Sequence, residues 1–380
     1  MVKMKDPLIS RQPNRRLDEI EKVHRVAYLD GMRGLAILLV GTGHFFYKYP
    51  VFKCTWIGLN LFFVLSGYLI TQRLFFHYKD SIGSYFKNFY FRRILRIFPL
   101  YYGCLFIFFI LLPFIYSAFF THFGELYSLQ AWYWTYTSNW MIVFNGMPEQ
   151  PLFFHFWSLA VEEQFYLLWP FLFLLLARIK RNYLFILGMI AASVFLRNYI
   201  GVNYSSFLNT GTVAEPLLLG ALITIIEKSK KVDQLVKYFL IVILLAVASL
   251  LIIFNNDPNP EIVSNNWLFR VGYSSVDLIW ASIILLSVST KKASSMIRKV
   301  FSPKWLTWLG TYSYGIYVFH WIVLSMFIYK AETELIKIGM KTNVAYFSTR
   351  ITGIAIVLLI SYMSYHFYEK RFLRLKKKFA

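Results

Sequence analysis

In the stretch DGMRGLAILLVGTGHFF, residues 30–46, an arginine stands near one end of an apolar run and a histidine near the other. As a helix, the eleven positions from Arg33 to His44 make three turns and about 20°. Both side chains then fall on one face, about 16 Å apart along the axis. Lipid-facing segments avoid both residue types, so charged and imidazole groups inside a span are candidates for function. An imidazole at His44 suits a general base or a nucleophile. Two competing readings are a histidine bonded to a neighbouring helix and an arginine snorkelling to the interface. Their common face and separation favour the joint reading.

Three further clusters carry chemistry-bearing types at helical spacing. In RRILR, Arg92 and Arg96 are one turn apart and Arg93 also neighbours Arg96. Guanidinium groups so placed grip phosphate in bidentate fashion, although anchoring at a membrane surface also places bases there. In FWSLAVEEQFYLLWP, Glu162 and Glu163 follow Ser158 closely, in what reads as the first turn of a helix. A capping box needs an acid three residues after the serine, and that position is Val161, so capping does not account for the pair. Adjacent residues diverge around a helix, so at most one carboxylate faces His44; pairing with a base elsewhere is the alternative. In TYSYGIYVFHW, Ser313, Tyr317 and His320 line one stripe at i, i+4 and i+7, a polar seam toward a bundle interior or a helix–helix contact. Glu369, beside Lys370 and Arg371, reads as a helix-end stabiliser.

The elements that must hold these groups are apolar helices. The 380-residue chain is 58% hydrophobic and 20% aromatic, with only 16% charged residues. Runs of about 20 apolar residues recur, each long enough to cross a bilayer. The expected fold is therefore all-α, a polytopic membrane bundle of about ten transmembrane helices. The spans are expected near 27–47, 56–77, 94–117, 160–178, 183–201, 208–227, 235–254, 270–290, 308–330 and 345–369. The expected organisation is a polar tail over 1–26, a ten-helix domain over 27–370 and a basic tail over 371–380. No small-residue cleavage site follows the first apolar run, so that span is expected to stay, with no soluble domain at either end.

The net charge of +21 records topology more than a nucleic-acid partner. With the N-terminus inside, 31 of the 40 Lys and Arg fall on cytoplasmic segments, and the long outer loop 118–157 has none. Both termini are then cytoplasmic, the basic faces meet anionic membrane lipid, and nucleic acid is not an expected partner. In that outer loop Trp132, Trp134, Tyr136 and Trp140 suit either sugar stacking or an interfacial aromatic belt. Cys54 and Cys104 form no metal or redox motif, and no metal is expected. Nucleophile elbows and glycine-rich phosphate loops are also missing.

Six stretches taken in order, YLDGMRGLAILLVGTGHFF, LFFVLSGYLIT, RRILRIFPLYY, FWSLAVEEQFYLLWP, YSYGIYVFH and YEKRF, resemble the acyltransferase-3 family of integral membrane acyltransferases. The resemblance covers about residues 28 to 372. It implies transfer of an acetyl or other short acyl group from cytoplasmic acyl-CoA. The acceptor would be a hydroxyl of an envelope polysaccharide, a lipid-linked glycan or another sugar-bearing molecule. By position, the family's Arg-x10-His motif falls on Arg33 and His44, its arginine cluster on Arg92, Arg93 and Arg96, and its span-four acid on Glu162 or Glu163. The arginines would hold the donor's phosphates, and His44 would act on the acceptor with a glutamate in support. The expected location is the bacterial inner membrane. A transporter or flippase for a sugar conjugate, using the same histidines and carboxylates as a proton relay, is the rival from another class.

Overall fold

The computed structural model describes residues 27–115, 119–179, 181–229, 232–289 and 292–376. The expected polar tail over 1–26 and the last four residues of the basic tail lie outside the described residues. The described residues hold helices and no strand. Ten principal helices follow the expected segments: α1 Ala27–Phe45, α2 Ile57–His77, α3 Ile82–Ile115, α4 Phe156–Leu176 and α5 Asn182–Ile200, then α6 Glu215–Lys228, α7 Val232–Asn256, α8 Leu268–Val288, α9 Lys304–Lys337 and α10 Thr342–Leu375. In hydrocarbon only such internally bonded segments satisfy every backbone group. The chain is an integral membrane protein.

Eight of these stretches are long and apolar enough to cross a bilayer, so the expected ten is a count of helices rather than of full spans. The two that fall short are α1 and α6. With 14 residues, α6 rises only about 21 Å against a hydrocarbon core of about 30 Å. The other, α1, is diluted by Asp30, Arg33, His44 and its glycines. Both pack mainly against neighbouring helices, α1 on α9 and α2, α6 on α2 and α8, where lipid-matching apolarity is not required. By contrast, Leu244, Leu245, Leu251 and Ile252 of α7 are exposed, a face fit for lipid.

Small residues set two close crossings. A Cβ on Gly34 would lie 2.0 Å from the Leu306 carbonyl oxygen, and one on Gly310 1.8 Å from that of Asp30. Thus α1 and α9 touch backbone to backbone, which fixes the rotation of the helix bearing Arg33 and His44 against the one bearing Ser313, Tyr317 and His320. Gly67 and Gly220 make the equivalent contact between α2 and α6, with Cβ positions 1.9 and 2.1 Å from carbonyl oxygens across the interface. Gly34→Ala is expected to force α1 off α9, destabilising the fold by about 1–3 kcal/mol. The check is a thermal unfolding midpoint in detergent below that of the wild type.

Two local departures from expectation bear on the site. The third helix begins at Ile82, twelve residues before the expected span. Ser81 caps Ile82, its side chain accepting from the Ser84 amide at 3.4 Å, and one continuous helix carries the arginines into the bundle. The long connection between α3 and α4 folds into three short helices, Phe119–Ser128, Gln130–Trp134 and Ser138–Asn145. Its aromatics turn inward. Tyr136 stacks on Tyr101 at 4.3 Å, Trp134 lies parallel to Tyr102 at 5.8 Å, and the Trp140 indole donates to Gln164 Oε1 at 3.2 Å. They pack the core more than they present a sugar platform.

Candidate active site

Five helices converge on a cavity of about 90 Å³. Arg33 enters from α1, Ser66 from α2, Arg93 and Arg96 from α3, and Ser313, Tyr314 and Tyr317 from α9. From α4 come Ser158, Glu162 and Tyr166, spaced four apart so that one helical stripe faces inward. Arg33, seven residues into α1, and Arg93 and Arg96, twelve and fifteen residues into α3, bring three guanidinium groups to one cavity. Arg33 pairs with Asp30 at 3.2 Å, and Arg93 lies over the Tyr166 ring at 4.9 Å. Glu162 Oε1 accepts from Ser66 Oγ at 2.6 Å, placing a carboxylate among the cations.

The two carboxylates diverge. Glu163 does not line the cavity, and its buried Oε1 has no hydrogen-bond partner among the described residues. The arginines diverge as well: Arg93 and Arg96 line the cavity, whereas Arg92 lies within electrostatic reach of Arg73 and His77 at the basic end. The helix begins at Phe156, so Glu162 and Glu163 sit beyond its first turn rather than within it, and the helix dipole does not explain them. Glu369 is buried and accepts from Ser364 Oγ at 3.0 Å at the end of α10.

Next to this cavity lies a cluster of imidazoles. His44 Nδ1 meets His320 Nε2 at 2.8 Å, across 276 residues, with the two rings nearly parallel. His320 Nδ1 lies 2.7 Å from the Tyr317 carbonyl and 3.1 Å from that of Ile316. Carbonyls only accept, so Nδ1 of His320 carries the proton and its Nε2 receives one from His44 Nδ1. That chain of donors leaves the lone pair of His44 on Nε2, the arrangement a general base needs. Trp321 closes the other side of His44, edge-on at 4.9 Å.

Tyr317 joins the two regions. Its ring lines the cavity, and its hydroxyl contacts the His155 carbonyl and, at 3.1 Å, Ser158 Oγ. The seam of Ser313, Tyr317 and His320 therefore runs from the cavity to His44, while His44 itself sits one imidazole beyond the cavity wall. A third imidazole, His155, lies 5.0 Å from His320 and donates from Nε2 to the Val318 carbonyl at 3.1 Å. Sequence reasoning passed over His155, Ser66, Tyr166 and Tyr314. His155 was legible: three residues before Ser158 and seven before Glu162, it shares their face. Among the described residues no group of three or more His, Cys, Asp or Glu is placed to hold a metal ion.

The sequence profile of the acyltransferase-3 family, described as an acyltransferase domain, matches residues 26–366. The peptidoglycan O-acetyltransferase OatA of Listeria monocytogenes is 31% identical over 327 residues, which cover 79% of this chain and 50% of that protein. YrhL of Bacillus subtilis, provisionally named a peptidoglycan O-acetyltransferase, is 28% identical over 376 residues, 90% of this chain and 54% of its own length. A Staphylococcus aureus protein provisionally named an O-acetyltransferase is 27% identical over 386 residues, with 93% and 58% covered. The chain thus spans about half the length of the curated relatives it matches. No solved structure matches it.

Proposed function

Because the chain belongs to the acyltransferase-3 family, we propose that it transfers an acetyl or other short acyl group from acyl-CoA to a hydroxyl of a cell-envelope glycan. Peptidoglycan is the acceptor class named for its relatives. The donor enters at the basic, cytoplasmic end and the acceptor from the opposite side. The observation that carries this reading is the polarity of the site: three arginines at one end of a narrow cavity, and a hydrogen-bonded histidine pair beyond the other.

Coenzyme A is a phosphate-rich head on a long thin thiol arm. Arg33, Arg93 and Arg96 present forked donors that match phosphate oxygens. The cavity, at about 90 Å³, is well below the roughly 300–1,000 Å³ that encloses a whole drug-sized ligand. It has room for a stretch of the thiol arm rather than the nucleotide, and the thioester must pass Tyr317 and His320, which stand between the cavity and His44. Glu162 faces Arg93 and Arg33 and offsets part of their charge. The length of α1 between Arg33 and His44, about 16 Å, gives the arm a track toward the imidazole.

In the reaction, His44 Nε2 takes the proton of the acceptor hydroxyl as that oxygen attacks the thioester carbonyl carbon. The tetrahedral adduct collapses, the carbon–sulfur bond breaks, and the departing thiolate recovers the proton from the imidazolium. His320, anchored on two backbone carbonyls, holds the imidazole in the productive tautomer and shares its transient charge. In a two-step variant, His44 itself carries the acyl group between donor and acceptor.

The test uses purified protein, radiolabelled acetyl-CoA and an N-acetylglucosamine pentamer. Alkali-labile label on the glycan with stoichiometric release of CoA is expected. Intact donor after prolonged incubation, with the pentamer moved across a vesicle membrane, would establish the transporter instead. Label retained on wild-type protein without acceptor, and missing from His44→Ala, would assign the two-step route.

A further inference from the structure

We propose that Arg350 is a positioning residue for His44, holding the carbonyl end of α1 so that the imidazole keeps its aim; this rests on the reading of His44 as the base. Helix α1 ends at Phe45, one residue past His44. The last four carbonyls of a helix lack partners within it, and the dipole there favours a cation. The Phe45 carbonyl receives two donors from α10: Arg350 Nε at 3.3 Å and Tyr346 Oη at 3.2 Å. These partners come from 305 and 301 residues away.

The guanidinium is itself held by several groups. Its Nη1 reaches Glu332 at 2.5 Å and Thr349 Oγ1 at 3.1 Å, and its plane sits over the rings of Tyr346 at 4.4 Å and Tyr329 at 5.1 Å. Arg350 is 4% exposed and is the only Lys or Arg between residues 342 and 369, so a costly charge has been placed at the end of the helix that carries His44. The last turn of α1 needs such a hold. Thr42 Oγ1 bonds back to the Leu38 and Leu39 carbonyls, a pattern that bends helices, and the chain leaves the helix directly after Phe45. A small rotation of that turn would swing Nε2 of His44 off the reacting hydroxyl.

The experiment compares acetyl transfer from labelled acetyl-CoA to an N-acetylglucosamine pentamer by the full-length wild type and its variants. In the double variant Arg350→Gln with Glu332→Gln, no charge is stranded. Its kcat is expected to fall about 10–100-fold while the KM for acetyl-CoA stays within about twofold, because misplacement by about 1 Å costs that much and the arginine cavity is untouched. Arg350→Lys keeps a charge for Glu332 but not the fork, and should recover only part of the rate. Adding His44→Gln to the double variant should lower the rate no further than His44→Gln alone. Wild-type kcat in the folded double variant overturns the proposal, as does a fall in kcat matched by an equal rise in donor KM. Should that variant not fold, Tyr346→Phe removes one donor to Phe45 and is expected to lower kcat about threefold at constant KM; an unchanged kcat overturns the proposal. Full activity of His44→Gln by itself overturns the reading of His44, and the inference with it.

Discussion

Replacing His44 by alanine is expected to slow acyl transfer about 10²–10⁴-fold, the usual contribution of a positioned general base, while leaving the affinity for acetyl-CoA within about twofold. The separation follows from the geometry. His44 contacts His320 and Trp321, beyond the wall of the cavity, and makes no part of the lining where the arginines stand. Donor binding and proton removal are thus assigned to opposite ends of α1. His320→Ala should fall between the two: it removes the acceptor that holds His44 Nδ1–H but leaves the base in place. Single-turnover transfer measured beside equilibrium donor binding separates the cases. Transfer at the wild-type rate by a folded His44→Ala protein would remove the imidazole from the mechanism.

The second large effect is expected on the donor. Charge-assisted hydrogen bonds contribute roughly 1.5–3 kcal/mol each, so Arg93→Ala with Arg96→Ala should weaken acetyl-CoA binding about 10²–10⁴-fold. The loss should shrink as salt rises, because screening already weakens the wild-type contact. Arg92→Ala is the internal control. It shares the helix and the charge but does not line the cavity, and a smaller change in affinity is expected. Titration of acetyl-CoA into each variant in detergent provides the check. Equal losses from Arg92→Ala and the double variant would reduce the cluster to a general electrostatic attraction for anions.

Much of the architecture was legible because it is local. A helix in hydrocarbon must satisfy its own backbone, so apolar runs alone placed ten helices, most ends within about four residues. Helix α3 begins twelve residues before the expected span, α6 begins seven after it, and α9 and α10 run on seven and six residues past theirs. The helical period put Arg33 with His44, and Ser313 and Tyr317 with His320, on single faces without any knowledge of neighbours. Charge asymmetry suggested which end of the bundle is basic.

The sequence by itself determined the helices, their apolar length and the stripes along each; tertiary structure alone decided which stripes meet. Glu162 and Glu163 differ by about 100° of rotation, and only the packing of α4 turns the first into the cavity and the second away. His44 and His320 meet because Gly34 and Gly310 let α1 and α9 approach to backbone contact, which sets their relative rotation. The aromatic loop packs on Tyr101, and Arg350 reaches the Phe45 carbonyl, through contacts that no single helix's pattern specifies. A helix's period is written in its own residues, whereas its azimuth and height in a bundle are fixed by contacts with residues hundreds of positions away.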